Sequence, residues 1–113
     1  MDKEIKESDW KYLKKLKPIL LERTCAKINR EAELKLKNKE NREQYQVFIA
    51  LYEHYRKKDD LIADCFDDYR RSTALYKILH LLYNGIMTDA EFEGFSTEMK
   101  ETVKGIMEIN ERD

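Results

Sequence analysis

The chain has 113 residues, of which 40% are charged, and it contains three glycines and one proline. This composition predicts a single helical domain over residues 1–113 and argues against a sheet protein, because alternating or β-branched runs are absent. A formal net charge of −1 argues against a chain that binds nucleic acid through its overall charge.

The N-terminal residues 1–11 are highly charged and lack the hydrophobic segment of a secretory signal peptide. No apolar run approaches the roughly 18 residues that a membrane span requires. Cys25 and Cys65 lie on apolar helix faces outside any Cys-x-x-Cys pattern. This pattern is typical of buried thiols in a reducing compartment, so we expect a cytoplasmic protein with no membrane contact.

Two helices are predicted in the first third of the chain. Ser8 is a suitable N-cap for a short helix. Pro18 is expected to stop or kink that helix, because the residue before a proline avoids helical geometry. A second helix is predicted over 18–36, with a buried seam of Leu21, Cys25, Ile28 and Ala32.

The polar segment 38–44 is the clearest linker in the first half, and a further helix is predicted over 42–57. Tyr45, Phe48, Ile49, Tyr52 and Tyr55 lie on one side of this helix. Because the linker contains neither Gly nor Pro, a single continuous helix over 18–57 remains an open alternative.

A long central helix over about 59–84 is predicted to organise the fold, after a turn at 57–60. Its first half is amphipathic, and its second half is apolar in nearly every direction. A helix that is apolar around its circumference must be covered on all sides. The prediction is therefore an all-α, compact bundle of four to five helices around this element.

Two shorter helices are predicted after the central helix. Gly85 is suited to the position just past a helix end. Thr88 and Glu91 have the spacing of a capping box, which begins a short helix ending near Gly94. Ser96 begins a last helix that continues to about residue 109.

Catalytic, cofactor-binding and metal-binding residues are not predicted. His54 and His80 have no carboxylate or second histidine three or four positions away, as helical metal ligands would. Cys65 and His80 are fifteen residues apart, roughly 22 Å along one helix. A nucleophile and its base must approach to about 3 Å, so we expect a protein that is not an enzyme.

The acidic cluster near residue 67 is predicted to be paired within the helix. Arg71 lies four residues after Asp67 and three after Asp68, which places all three side chains on one helix face. We interpret Asp67, Asp68 and Arg71 as structural ion pairs rather than as a cation site.

Tyrosines repeat every seven residues in two parts of the sequence. Tyr69, Tyr76 and Tyr83 form one series, and Tyr45 and Tyr52 form another. The two ladders are expected to pack together in the core with their hydroxyls in water. The alternative is an aromatic groove for a peptide or a base, and the sequence leaves this open.

Charge is unevenly distributed, with 12 Lys and Arg against 7 Asp and Glu in residues 1–39 and a net charge of −5 in residues 84–113. A basic patch of Lys11, Lys14, Lys15 and Lys17 interleaves with Trp10 and Tyr12. Basic residues beside aromatic rings can bind single-stranded nucleic acid. A small nucleic-acid-binding accessory protein is therefore the alternative function.

The preferred function is a non-enzymatic protein–protein interaction module that self-associates. The candidate partner surface is Leu75, Ile78 and Leu82, on a helix with more apolar surface than its neighbours are expected to cover. A homodimer would bury this surface. The competing interpretation is that the N-terminal helix carrying Trp10 covers it within the same chain.

Overall fold

The computed structural model describes residues 5–38 and 42–112. Within these ranges the helices are α1 (Glu7–Lys37), α2 (Gln44–Phe66), α3 (Ala74–Tyr83), α4 (Asp89–Phe92) and α5 (Thr97–Arg112). A 3-10 turn (Arg71–Thr73) precedes α3, and no strand occurs in the part of the chain that is described. The predicted all-α fold is confirmed. None of the described helices is long and apolar enough to cross a membrane.

Helix α1 continues through Pro18, so the predicted interruption there is wrong. Proline removes one hydrogen bond from the helix interior and crowds the preceding turn. Leu13, Leu16 and Leu20 are buried on the same face on both sides of the proline. Their packing offsets the local cost, because helices in proteins are stabilised mainly by their buried face. Helix α1 also begins at Glu7, one residue before the predicted cap Ser8.

Helices α1 and α2 form a hairpin, which decides between the alternatives for residues 18–57 in favour of two helices. Of the predicted linker, residues 39–41 lie outside the described residues. Glu43 and Gln46 form a capping box at the start of α2. The predicted turn at 57–60 is wrong, because α2 continues to Phe66 without a Gly or Pro to end it.

The predicted central helix over 59–84 is two helices with a break at residues 67–70. Asp68 takes a left-handed conformation with φ of 51°, which Asp tolerates better than most residues. Its carboxylate accepts from Arg70 Nε at 2.6 Å and Nη2 at 2.9 Å. Thr73 Oγ1 donates to the Asp68 carbonyl at 2.6 Å. These local side-chain bonds compete with helical hydrogen bonds and end α2.

Helix α3 occupies the centre of the core. Ala74, Ile78 and Leu81 are fully buried in a cluster that also includes the N-terminal half of α1 and the last residues of α2. Lys77 is buried too, and its Nζ donates to the Asp64 carbonyl at 2.9 Å. The positive ammonium group interacts favourably with the negative C-terminal end of the α2 dipole. This contact joins α3 to α2 across the break.

Buried polar contacts attach α1 to the C-terminal segment. The Asp9 carboxylate is buried and accepts from Ser96 N at 2.8 Å and from Ser96 Oγ at 2.7 Å. Ser96 Oγ in turn accepts from Met99 N at 3.1 Å, which caps the start of α5. Asp9 therefore fixes the N-terminus of α5 against α1.

A second attachment joins the middle of α1 to α4. Arg23 donates to both carboxylate oxygens of Glu91, at 2.8 and 2.9 Å, and to the Ile86 carbonyl at 2.8 Å. Thr88 accepts from the Glu91 amide and donates its own amide to Glu91 Oε1, so the predicted capping box is confirmed. The Arg23 hydrogen bonds are the main cause that lowers the pKa of Glu91 to about 2.

Candidate partner-binding surface

The predicted partner surface is not a contiguous exposed patch. Ile78 is fully buried, and Leu75 and Leu82 are partly buried against the core cluster. Trp10 packs against the same core cluster from α1. The apolar surface that suggested a partner at these three residues is therefore largely covered by the core cluster of the same chain.

The aromatic rings beside the predicted basic patch are engaged inside the fold. The Trp10 and Tyr69 ring centroids are 5.6 Å apart. Lys14 Nζ lies 5.4 Å from the Trp10 centroid, and Lys17 Nζ lies 4.3 Å from the Tyr69 centroid. Tyr12 packs edge-on against the Phe95 ring. The Tyr12 hydroxyl also donates to the Glu91 carbonyl at 2.6 Å. The rings that were expected to stack on bases are thus occupied.

The two remaining lysines of the patch are exposed, and Lys11 Nζ lies 3.8 Å from Glu7 Oε2 while Lys15 faces solvent. A positive surface thus remains on this part of α1, but without free rings between its charges.

The predicted ion pairs of Asp67, Asp68 and Arg71 need a correction. They depended on helical spacing, which the break at 67–70 removes. Asp68 pairs with Arg70 instead, and Asp67 is the C-cap residue of α2. Arg71 Nε donates to the Ile5 carbonyl at 2.7 Å, so this residue attaches the chain before α1 to the turn before α3.

A polar cluster lies between α1 and α2, and spacing along a single helix does not predict it because its members belong to two helices. His54 is buried, and its Nε2 donates to the Ile28 carbonyl at 3.0 Å. Glu31 Oε1, from the facing helix, lies 3.9 Å from this nitrogen and 3.8 Å from Lys58 Nζ. The cluster borders a cleft of about 400 Å³ between α1, α2 and the segment after α3. Within the described residues, no group of three or more His, Cys, Asp or Glu could hold a metal ion.

The two cysteines differ in access to solvent. Cys65 is fully buried, and burial raises the pKa of its thiol to about 11, so little thiolate forms at neutral pH. Cys25 is partly exposed on α1. Both thiols are free.

The predicted tyrosine ladders do not pack together in the core. Tyr69 precedes α3 and is partly buried, and its burial raises the pKa of its hydroxyl well above the usual range. Tyr76 and Tyr83 lie on α3 and are exposed. Tyr45 and Tyr52 on α2 are also exposed. The break at 67–70 separates Tyr69 from the other two members of its series, so the seven-residue spacing no longer means a common face.

The largest exposed aromatic feature lies on α2. Its side chains are Tyr45, Phe48, Tyr52 and Tyr55, with exposed fractions of 71%, 61%, 57% and 45%. Spacings of three, four and three residues place them on one stripe, which we call the aromatic face. Tyr45 and Phe48 lie beside each other, with ring centroids 6.4 Å apart.

The aromatic face is exposed because α1 covers the other side of α2. Val47 and His54 lie on that opposite side and are buried. The core cluster includes α1 only as far as Leu21 and α2 only from Leu61 onward. The rest of the hairpin, which we call the arm, consists of residues 25–37 and 44–58, and its buried apolar residues Ile28, Ala32 and Val47 lie outside the core cluster.

Shallow grooves between α1 and α2 border the aromatic face. One is lined by Cys25, Ile28, Tyr52 and Ile62, and the next along the arm is lined by Ala32, Leu36 and Leu51. Tyr55 lies between them and donates its hydroxyl to Asn29 Oδ1 at 2.9 Å. The surface therefore consists of a stripe of exposed rings on α2 and a shallow, largely apolar groove beside it.

The sequence contained the signal for this surface, since these four rings share one side of the predicted helix over 42–57. The sequence did not indicate which side of that helix would be covered. No family model, curated protein or solved structure matches this chain.

Proposed function

We propose that this protein is a non-enzymatic protein–protein interaction module that binds an amphipathic protein helix through its aromatic face. The observation that supports the proposal is the exposure of four large rings on one stripe of α2. Their i, i+3, i+7, i+10 spacing suits a partner helix that lies along α2 and its groove.

The size of the aromatic face supports a binding role. A large aromatic side chain can bury about 150–250 Å², so four rings at their observed exposure present on the order of 470 Å². The largest apolar patch on a typical monomer is about 300–600 Å², and patches in this range are often functional. Tyrosine and phenylalanine are also enriched at protein interfaces, where tyrosine hydroxyls keep partial contact with water.

The alternative function, nucleic-acid binding by Lys11, Lys14, Lys15 and Lys17, is less well supported. Trp10 is packed against Tyr69, and two of the four lysines lie over aromatic rings of the fold. Binding through charge alone would leave the aromatic face unexplained.

We also propose a cytoplasmic location. The support is that both cysteines are free thiols, as expected in a reducing compartment.

Site-specific photo-cross-linking tests the interaction role. A benzophenone amino acid replaces Phe48 in one variant and Tyr76 in the other, and cells that express the protein are irradiated. Tyr76 is a matched control because it is 68% exposed and lies on α3, outside the aromatic face. We expect protein adducts of defined mass from position 48 and none from position 76.

A second substitution shows whether an adduct depends on the surface itself. Adding Tyr52→Glu to the position-48 variant should abolish the adduct without changing helix content by circular dichroism, since Tyr52 is exposed. Equal labelling from positions 48 and 76, or no adduct from either, would contradict the proposal.

A further inference from the structure

The aromatic face has the spacing of a coiled-coil seam. Tyr45, Phe48, Tyr52 and Tyr55 follow the alternating three- and four-residue steps by which two helices interlock their side chains. Val47 and His54 lie on the opposite side and are already packed on α1. Helix α2 therefore has one face packed on α1 and another exposed face that a second helix can contact. The seam on this exposed face is two heptads long.

From this surface we infer that the partner is a second copy of the chain, with the two α2 helices packed antiparallel about a two-fold axis near Ala50. The inference rests on the interaction role proposed above. In this arrangement Tyr45 lies opposite Tyr55 of the second copy, and Phe48 lies opposite Tyr52 of the second copy. Each ring then faces another ring, and the two arms together form a four-helix layer in which both helices of each copy are supported.

The area available is close to the lower limit for a specific dimer. Four rings contribute on the order of 470 Å² per copy at their observed exposure, and hence about 900 Å² for the pair. Exposed Leu36, on the groove beside the stripe, adds to this area. Specific interfaces begin near 1,000 Å² and standard ones bury about 1,600 Å², so we expect a weak dimer that dissociates on dilution.

Charge favours the antiparallel orientation over the parallel one. The next position along the stripe after Tyr55 is Asp59. A parallel pair would place the two Asp59 carboxylates against each other in the seam, which is unfavourable. The antiparallel pair instead places the two Asp59 carboxylates at opposite ends of the seam, roughly 27 Å apart along the helix axis, and it also opposes the two helix dipoles.

Sedimentation equilibrium at micromolar to several-hundred-micromolar protein measures the self-association. We expect a species of twice the 13.7 kDa chain mass to form as concentration rises. Phe48→Glu should raise the dissociation constant by at least about 30-fold, as expected for a central aromatic residue present twice in the interface. Tyr76→Glu is the control and should leave the dissociation constant unchanged.

Disulfide trapping measures the orientation. Tyr45→Cys and Tyr55→Cys are made separately in a Cys25→Ser background, because Cys25 is the partly exposed native thiol. In the antiparallel dimer, a mixture of the two variants forms a disulfide-linked dimer under air oxidation, whereas each variant alone does not. Cross-linking of each variant with itself would show parallel packing and overturn the inference.

The two proposals fail separately. A clean monomer mass at every concentration overturns the second copy as partner, while position-48 adducts with another protein would still support the interaction role. If the protein is a monomer at every concentration and position 48 gives no adduct, both proposals are wrong.

Discussion

Replacing Glu91 with Gln tests how strongly the Arg23–Glu91 contact holds α1 to the C-terminal segment. Gln has nearly the same shape and can still accept from the Thr88 amide, so the substitution removes mainly the charge. The pKa of Glu91 is about 2 in the folded protein against an ordinary 4.5. This lowering of the pKa corresponds to at most about 3 kcal/mol of stability at neutral pH.

The expected loss is smaller than this ceiling, because the Arg23 side chain is 40% exposed although that of Glu91 is only 16% exposed. Solvent screening of a half-exposed pair reduces the contribution, and we expect Glu91→Gln to lose about 1–2 kcal/mol at pH 7. A lowered folded pKa stabilises the protein above the unfolded value and ceases to do so as pH falls from 4.5 toward 2. At about pH 3 less than half of the difference between the two proteins should remain.

Urea unfolding followed by circular dichroism at about pH 7 and pH 3 measures both quantities. Glu93→Gln is the matched control, since Glu93 pairs with Lys100 at 2.9 Å but is largely exposed, and it should lose much less stability. The reasoning is refuted if Glu91→Gln loses no more than the control, or if its loss is as large at pH 3 as at pH 7.

Three further substitutions test buried contacts. Asp9→Ala leaves the Ser96 amide without its acceptor and should lose about 2–4 kcal/mol, with faster hydrogen exchange at Ser96; unchanged exchange would contradict the cap. Lys77→Met removes the donor to the end of α2 and should lose about 1–2 kcal/mol in urea unfolding, whereas an unchanged midpoint would show that the ammonium group does not stabilise this end. Gly94→Ala would overlap the Tyr12 ring and should lose about 1–3 kcal/mol by thermal unfolding, and much less in a Tyr12→Ala background. Equal losses in the two backgrounds would mean that the close approach is not the cause.

Features that depend on neighbours in sequence were predictable. The Thr88–Glu91 capping box closes within four residues, and Gly85 has the positive φ of 67° that its place after α3 suggested. Each signal is complete in a short window, so no knowledge of the rest of the fold is needed to recognise it.

Features that depend on packing were not predictable from such windows. Pro18 remains inside α1 because leucines on both sides of it are buried by segments more than forty residues away. The break at 67–70 is the opposite case, because a sequence with helical periodicity is interrupted there. Hydrogen bonds among Asp68, Arg70 and Thr73 replace the helical ones. Local propensity pointed to the wrong result in both places.

The candidate surface shows the same division. The stripe of Tyr45, Phe48, Tyr52 and Tyr55 is visible in the sequence, yet periodicity alone makes it look like a core face. Its exposure follows from the length of the arm, which extends past the core cluster. Conversely, Ile78 looked like surplus surface and is fully buried in the core cluster, which draws residues from α1, α2, α3 and α5.

The attachments of α1 to the C-terminal segment also determine the order in which a chain leaving the ribosome can fold. Asp9 can contact Ser96 only after 87 more residues have been made, and Arg23 can contact Glu91 only after 68 more. The arm has no such delay, because its His54–Ile28 contact spans 26 residues. Contacts distant in sequence form late, so pulse-labelled hydrogen exchange should find arm amides protected before those of the C-terminal segment. A nascent chain therefore exposes the aromatic face before the C-terminal segment has packed on α1. If two copies pair as proposed above, neighbouring chains on one message meet through this face during synthesis.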